Sequence, residues 1–312
     1  MNVVELEKVT KRFGDVYAVD NVSLAVEEGE VFGLLGPNGA GKSTAINMIV
    51  GLLRPDDGQI SVLGRSTAKE PLASRSEIGI VPQDLAIYED LSSLENVKFF
   101  ASLYGLRGRE LDRAAREALE FTGLTESSGA RPKSFSGGMK RRLNIACAIA
   151  HRPRLLIMDE PTVGIDPQSR NHILQSVKVL NQQGCTVIYT SHYMEEVEEI
   201  CSRIAILDHG KVIAEGTASQ LTALISDTSS VWITAGELDG KIDIDQLRAV
   251  PGVTNVDIDE QTVKLTSRRE VSNLERIISC FTGSGISIHR IESKTPDLET
   301  VFLTLTGRNL RD

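Results

Sequence analysis

A chain of 312 residues is long enough for one large domain and a smaller one. Its net charge of −9 argues against a nucleic-acid partner, and 41% hydrophobic with 25% charged residues is an ordinary globular balance. No run approaches the roughly eighteen consecutive apolar residues of a membrane span, and the N-terminal MNVVELEKVTKRFG lacks the apolar core of a secretory signal, so a cytosolic chain is expected.

In chain order, strands are predicted near Val3–Val9 and Ser23–Val26, with a loop between them that carries Tyr17. Residues 30–35 (EVFGLL) read as a buried strand and 42–50 (KSTAINMIV) as a helix. Between them lies Gly36-Pro37-Asn38-Gly39-Ala40-Gly41-Lys42-Ser43-Thr44, a phosphate-binding loop at the strand-to-helix turn that such a loop needs. Its glycines let successive N–H groups point at phosphate oxygens, and the helix N-terminus adds a favourable dipole. Lys42 is then expected to serve the β- and γ-phosphates, and the Ser43 hydroxyl to serve Mg2+.

Strands near Gln59–Leu63 and Ile78–Val81 follow, the second ending before Gln83. A largely helical insert is predicted from about 84 to 151, with a helix over Ser93–Tyr104 introduced by Ser92-x-x-Glu95 and another over Glu110–Phe121. Ser136-Gly137-Gly138 opens a further helix, whose Lys140-Arg141-Arg142 reads as a solvated basic face. Residues 154–158 (RLLIM) make an apolar strand entering Asp159-Glu160-Pro161, which puts two carboxylates at the end of a buried parallel strand. Asp159 is expected to hold the metal and Glu160 to polarise the attacking water of ATP hydrolysis. Asp166-Pro167 begins a helix as N-cap and first residue, and the strand CTVIYTS leads to His192. A helix over Tyr193–Cys201 and a hairpin around Asp208–Lys211 close the domain near Gly216-Thr217.

The pattern then changes. Ser226–Ser230 reads as a polar linker, followed by strand (231–235), helix (245–250), two strands (254–259 and 262–266), helix (272–281) and strand (286–293). That βαββαβ order predicts a ferredoxin-like module. Leu298, Val301, Phe302 and Leu305 give the last helix an apolar stripe, to be covered by the module's own sheet or by another subunit. The expected division is 1–225 and 226–312. Cys147, Cys185, Cys201 and Cys280 stand singly in apolar stretches, as buried reduced thiols do.

These motifs, in this order, resemble the ATP-binding-cassette family over residues 1 to about 220. The resemblance implies an α/β fold, a P-loop NTPase domain with a helical subdomain, joined here by the small α+β module. It makes Tyr17 the aromatic that stacks on adenine, and Gln83 a ligand of Mg2+ or the attacking water. Phe135-Ser136-Gly137-Gly138-Met139 matches the signature, Gly164-Ile165-Asp166 the loop after the second nucleotide motif, and His192 the switch histidine that orients Glu160. The signature more commonly begins with Leu and ends in Gln, and the Asp166 loop more commonly reads Ala-Leu-Asp. The family's fold sets Ser136–Gly138 too far from its own phosphate loop to share a nucleotide. A second ATPase subunit, head to tail in a homodimer, is therefore implied, with ATP and Mg2+ bound between the two.

The C-terminal tail is similar to that of ATPase subunits of daunorubicin-resistance-type multidrug or antibiotic exporters. This implies the ATP-hydrolysing subunit of an exporter of a drug, antibiotic or lipid-like substrate. It would sit on the inner face of the membrane against a separately encoded transmembrane permease, its last domain regulatory or dimerising. The alternatives are an importer ATPase and a soluble non-transport cassette of translation or repair. The second of these lacks support, because neither a duplicated cassette nor a long coiled coil is present. A pure ATP sensor is expected to lack the acid at Glu160.

Overall fold

The computed structural model describes every residue except 226–227, 237–242, 260, 269, 295–296 and 308–312. Met1–Ala218 form one compact unit and Ser219–Leu305 another.

The first unit begins with long antiparallel strands β1 (Asn2–Phe13) and β2 (Val16–Glu27), then β3 (Val31–Leu35) and α1 (Lys42–Ile49). Next come β4 (Asp57–Val62), the short β5 (Arg65–Ser66), α2 (Pro71–Arg75) and β6 (Ile78–Val81). The helical segment contains α3 (Ser93–Leu103), α4 (Gly108–Phe121) and α5 (Gly137–Ile149). The capping box expected at Ser92 and Glu95 is present: each side chain accepts from the other residue's backbone N–H. The chain then runs through β7 (Leu155–Asp159), α6 (Pro167–Gln182), β8 (Thr186–Thr190), α7 (Met194–Ile200), β9 (Arg203–Asp208) and β10 (Lys211–Gly216).

Two sheets result. One is antiparallel in the order β2-β1-β4-β5; the other runs β10-β9-β3-β8-β7-β6. In the second, every pairing from β9 to β6 is parallel, and only the edge strand β10 is antiparallel. Strands β3, β7 and β8 are buried on both faces, which is why they read as unbroken apolar runs rather than alternating ones. Between the sheets, Val4, Leu6, Val26, Phe32, Leu34, Met48, Ile60 and Ile188 share one core. Because β3, β8, β7 and β6 are parallel neighbours, the loops leaving their carboxyl ends open on the same edge of the sheet.

Helix α8 (Ala218–Ile225) follows, where the sequence pattern alone gives no element. The second unit contains β11 (Thr228–Ala235), α9 (Ile244–Arg248), β12 (Val253–Asp259), β13 (Thr262–Arg268), α10 (Leu274–Gly283), β14 (Ile288–Lys294) and α11 (Leu298–Thr306). Its sheet has the order β12-β13-β11-β14, antiparallel at each pairing. Val231, Ile233, Val263 and Leu265 pack with Leu247 of α9 and Ile277 and Phe281 of α10.

The linker expected at Ser226–Ser230 needs correction. Ser226 and Asp227 lie outside the described residues, but Thr228, Ser229 and Ser230 pair with Arg268, Ser267 and Thr266 as the first residues of β11. A ladder is made by backbone groups, so polar side chains at a strand's start do not prevent it. On α11, Leu298, Val301 and Phe302 are buried within the single chain, whereas Leu305 is at the surface. Cys147 and Cys185 are buried and Cys201 and Cys280 half-buried; all four are free thiols.

Candidate functional site

The loop after β3 is held by close backbone approaches. A Cβ on Gly36 would lie 2.5 Å from the Leu207 carbonyl oxygen, and one on Gly41 2.2 Å from that of Ala18. Gly41 also has φ +105, a left-handed conformation that L side chains rarely adopt. Gly210, in the hairpin between β9 and β10, donates its N–H to the Ala40 carbonyl and accepts from Asp20 N–H, bracing the loop from outside. Asn38, Gly39 and Ser43 face solvent, Thr44 is half-buried, and Pro37 and Ala40 are buried. Lys42, 6% exposed, donates from Nζ to the Gly36 and Pro37 carbonyls at 2.6 and 3.2 Å. Burial lowers its pKa, opposed by the charges of Glu160 and Asp159. The loop is thus a backbone cradle containing one buried cation that faces two carboxylates.

Those carboxylates stand where the sheet delivers them. Asp159 ends β7 opposite Thr190 of β8, and the Thr190 hydroxyl donates to Asp159 Oδ1 at 2.7 Å while accepting from Glu160 N–H at 2.9 Å. One hydroxyl therefore fixes both acids. Burial pushes the Asp159 carboxyl up, against the Thr190 bond and the Lys42 charge. Glu160, with φ +49 and its side chain buried, turns sharply out of the strand to meet His192 Nε2 at 2.6 Å. Burial acts to raise its pKa, but the His192 bond and the Lys42 charge outweigh it, so the carboxyl sits below its usual range. It is ionised at neutral pH, the form in which a carboxylate accepts a proton. His192 Nδ1 is buried without a hydrogen-bond partner among the described residues.

A second cluster gathers around the start of α5. Ser136 caps the helix, its hydroxyl accepting from Met139 N–H at 3.3 Å, and Gly137 beside it is exposed. Gly138 is packed so closely against α6 that a Cβ there would lie 2.1 Å from Ser169 Oγ and 3.2 Å from Asp166 Oδ2. Asp166 caps α6 as expected, with Pro167 as first residue and Oδ1 accepting from Ser169 N–H at 2.9 Å. Ser136–Gly138 and Asp166 therefore form one surface, and no hydrogen bond among the described residues ties it to Gly36–Thr44.

Two predicted site residues stand apart. Tyr17 lies on β2, not in a loop: the turn before it takes only Gly14 and Asp15, and Tyr17 pairs with Arg12 of β1. Its ring is half exposed, with the Arg12 guanidinium 5.5 Å from its centroid. Gln83 follows β6 with its side chain in solvent, and no hydrogen bond links its amide to Asp159, Glu160 or His192. Its carbonyl is held instead by Arg141, which donates to the Pro82 and Gln83 oxygens at 2.8 Å each. The solvated basic face expected at Lys140–Arg142 is thereby overturned. Arg141 is buried, Lys140 pairs with Glu89, and Arg142 donates to the Thr122 and Gly123 carbonyls, because bare helix and strand ends nearby need donors.

Residues 19–163 match the model of the family described as ABC transporter. The linearmycin resistance ATP-binding protein LnrL of Bacillus subtilis (strain 168) is 44% identical over 314 residues, covering 99% of this chain and 100% of that protein. The chain belongs to the ABC transporter family. The Nod factor export ATP-binding protein I of Sinorhizobium fredii (strain NBRC 101917 / NGR234) is 37% identical over 99% of this chain and 87% of its own length. The daunorubicin resistance ATP-binding protein DrrA3 of Streptomyces coeruleorubidus is 36% identical over 99% and 97%. Among solved structures, the dimeric post-hydrolysis state of the ATP-binding cassette MJ0796, bound to ADP and Pi, is 32% identical, with a TM-score of 0.63 over 69% of this chain and 98% of that one. The drug-resistance kinship that the tail suggested is therefore present along the whole chain, and this ABC protein is an ATP-binding, ATP-hydrolysing cassette of the P-loop fold.

Four residues that order this ABC site are not identified by the sequence alone. Thr190, Gly210, Ser169 and Arg141 act through partners 20 or more residues away or across an element boundary. None belongs to a local motif, so only the assembled sheet identifies them.

Proposed function

We propose that this chain is the ATP-hydrolysing subunit of an exporter that moves a drug, antibiotic or lipid-like substrate through a separately encoded transmembrane permease. The observation that carries the reading is the convergence of Lys42, Asp159, Glu160 and His192 at the carboxyl ends of neighbouring parallel strands, with Glu160 ionised and in contact with His192. In this reading the backbone of Gly36–Thr44 cradles the ATP phosphates, Lys42 exchanges its two loop carbonyls for phosphate oxygens, and Tyr17 stacks on adenine. Glu160 accepts the proton of the attacking water, and His192 holds Glu160 in place.

Mg2+ fits the donor set. The Ser43 hydroxyl, the Asp159 carboxylate and the Gln83 amide oxygen are the hard ligands that this ion prefers. When bound it neutralises charge on the β- and γ-phosphates.

The exposed Ser136–Gly137 end of α5, bound to α6 rather than to the phosphate loop, supports a head-to-tail homodimer in which each signature serves the partner's ATP. The dimeric MJ0796 cassette is a precedent for such a pair. No described helix is long and apolar enough to cross a membrane, which agrees with a subunit docked on the cytoplasmic face of its permease. Relatives named for resistance and export favour an exporter over an importer or a non-transport cassette. The second unit, with its βαββαβ order and antiparallel sheet, is read as a ferredoxin-like regulatory or dimerising module.

Glu160→Gln tests the assignment. An amide cannot act as base, so turnover should fall by about 10²–10⁴-fold while ATP binding survives and ATP-bound dimers accumulate on size exclusion. Wild-type turnover in the purified variant would remove Glu160 from the chemistry.

A further inference from the structure

Beside the site lies a buried carboxylate that the proposed chemistry does not use. Glu196, on α7 and 2% exposed, receives three hydroxyl hydrogens on a single oxygen: Thr162 Oγ1, Tyr189 Oη and Ser191 Oγ each donate to Oε2 at 2.8 Å. Its other oxygen forms an ion pair with Arg170 Nε at 2.8 Å, outside hydrogen-bond alignment. The Arg170 guanidinium also covers the Tyr193 ring at 4.3 Å.

The places these groups come from matter more than their number. Thr162 lies two residues after Glu160. Ser191 and Tyr193 flank His192, and the Ser191 hydroxyl additionally accepts from Tyr193 N–H at 2.9 Å. Arg170 lies in the first turns of α6, whose Asp166 cap and Ser169 pack against Gly138. Burying a carboxylate is costly unless its lone pairs are satisfied, and a neutral acceptor would join the three hydroxyls at lower cost. What the charge adds is the attachment to Arg170, and so to α6.

We propose that Arg170 and Glu196 form a positioning pair that sets His192 against Glu160 and ties that geometry to α6. The proposal rests on the role given above to His192 and Glu160. Neither member forms a hydrogen bond or ion pair with the phosphate loop among the described residues. Each acts on the residues either side of the histidine, so its loss should leave nucleotide binding intact and let the imidazole drift from the carboxylate. A misplacement of about 1 Å in a reacting constellation can cost on the order of a hundredfold in rate.

The full-length protein is assayed for ATPase kcat and KM for ATP, together with thermal midpoint, as wild type, Glu196→Gln, Arg170→Met, Arg170→Lys and His192→Ala, and with the first two variants combined with His192→Ala. Glu196→Gln keeps an acceptor for the three hydroxyls but turns a donor toward Arg170. It and Arg170→Met should each lower kcat roughly ten- to a hundredfold with KM within about twofold. Arg170→Lys, which retains the charge, should recover part of the loss, and on the His192→Ala background neither substitution should cost more than about twofold further. Wild-type kcat in Glu196→Gln and Arg170→Met, with His192→Ala impaired, overturns the pair alone. So does a loss that multiplies in full onto His192→Ala, or one that follows a fallen thermal midpoint with raised KM. Wild-type turnover in His192→Ala overturns both the pair and the site reading beneath it.

Discussion

His151, at the end of α5, lies parallel to Tyr104 with ring centroids 3.5 Å apart, and both its ring nitrogens are buried without hydrogen-bond partners among the described residues. Tyr104 donates its hydroxyl to the Ile78 carbonyl at 3.1 Å, so the stack pins the helical segment to β6. An imidazole so placed packs as an aromatic and resists protonation. Burial lowers its pKa from 6.5 to about 4, against a smaller opposing interaction with Ile78. The sign of the linkage follows. Between those values the unfolded chain binds the proton and the folded one does not, so stability is complete above pH 6.5 and is lost as pH falls toward 4. The full loss is about 3 kcal/mol, since each tenfold weakening of proton affinity is worth roughly 1.4 kcal/mol. His151→Phe keeps a ring on Tyr104 and removes the titration, so its thermal midpoint should fall less steeply than the wild type's between pH 6.5 and 4. Equal slopes would show that the imidazole does not titrate on unfolding.

At the level of elements, the start of α5 separates two kinds of glycine. A Cβ on Gly137 meets nothing nearer than the Gly164 carbonyl oxygen at 4.0 Å, whereas one on Gly138 overlaps Ser169 at 2.1 Å. Gly138→Ala must therefore push α5 from α6, a destabilisation of about 1–3 kcal/mol by overpacking, visible as a lower thermal midpoint in the isolated protein. Gly137→Asp is accommodated inside the chain but sets a carboxylate where a partner's γ-phosphate is proposed to lie. Monomer ATP affinity and thermal midpoint should be unchanged in Gly137→Asp, and ATP-driven dimerisation and hydrolysis lost. Loss of ATP affinity in the Gly137→Asp monomer would make Ser136–Gly138 a turn serving its own chain. The same elements show what a sequence can disclose. The phosphate loop, the Asp159 strand end, the Ser92 capping box and the Asp166-Pro167 start are encoded within a few adjacent residues, and each is found where the local pattern puts it. Tyr17 and Thr228–Ser230 fall on strands rather than in loops because strand pairing is decided by the partner strand. Arg141 escapes a local pattern because a basic residue near a helix start looks alike whether its guanidinium meets water or two carbonyls.

On the scale of the whole molecule, Lys42, Asp159, Glu160, His192, the signature and the Asp166 loop all belong to Met1–Ala218, and the second unit has a separate core around Ile233, Leu265 and Phe281. Each unit has a hydrophobic core of its own, the condition for a part to fold without the rest. Leu298, Val301 and Phe302 of α11 are already buried within one chain, which removes them as a free intersubunit stripe and leaves Leu303 and Leu305 at the surface. A chain ending at residue 225, which keeps α8 and removes the sheet and remaining helices of the second unit, should therefore keep monomer ATP affinity within about twofold, because no group assigned to the nucleotide lies beyond His192. Dimer lifetime, transport with the permease, or both should fall, since that is where a regulatory or dimerising module acts. Isothermal titration of the shortened monomer, beside analytical ultracentrifugation with ATP, separates the outcomes. If the shortened chain folds, by its circular dichroism and a cooperative melt, yet no longer binds ATP, the second unit contributes to the nucleotide site and the division of labour is wrong. If ATP binding, dimerisation and transport all persist, the module has no part in the dimer or in coupling to the permease, and the regulatory role fails while the ATPase assignment stands.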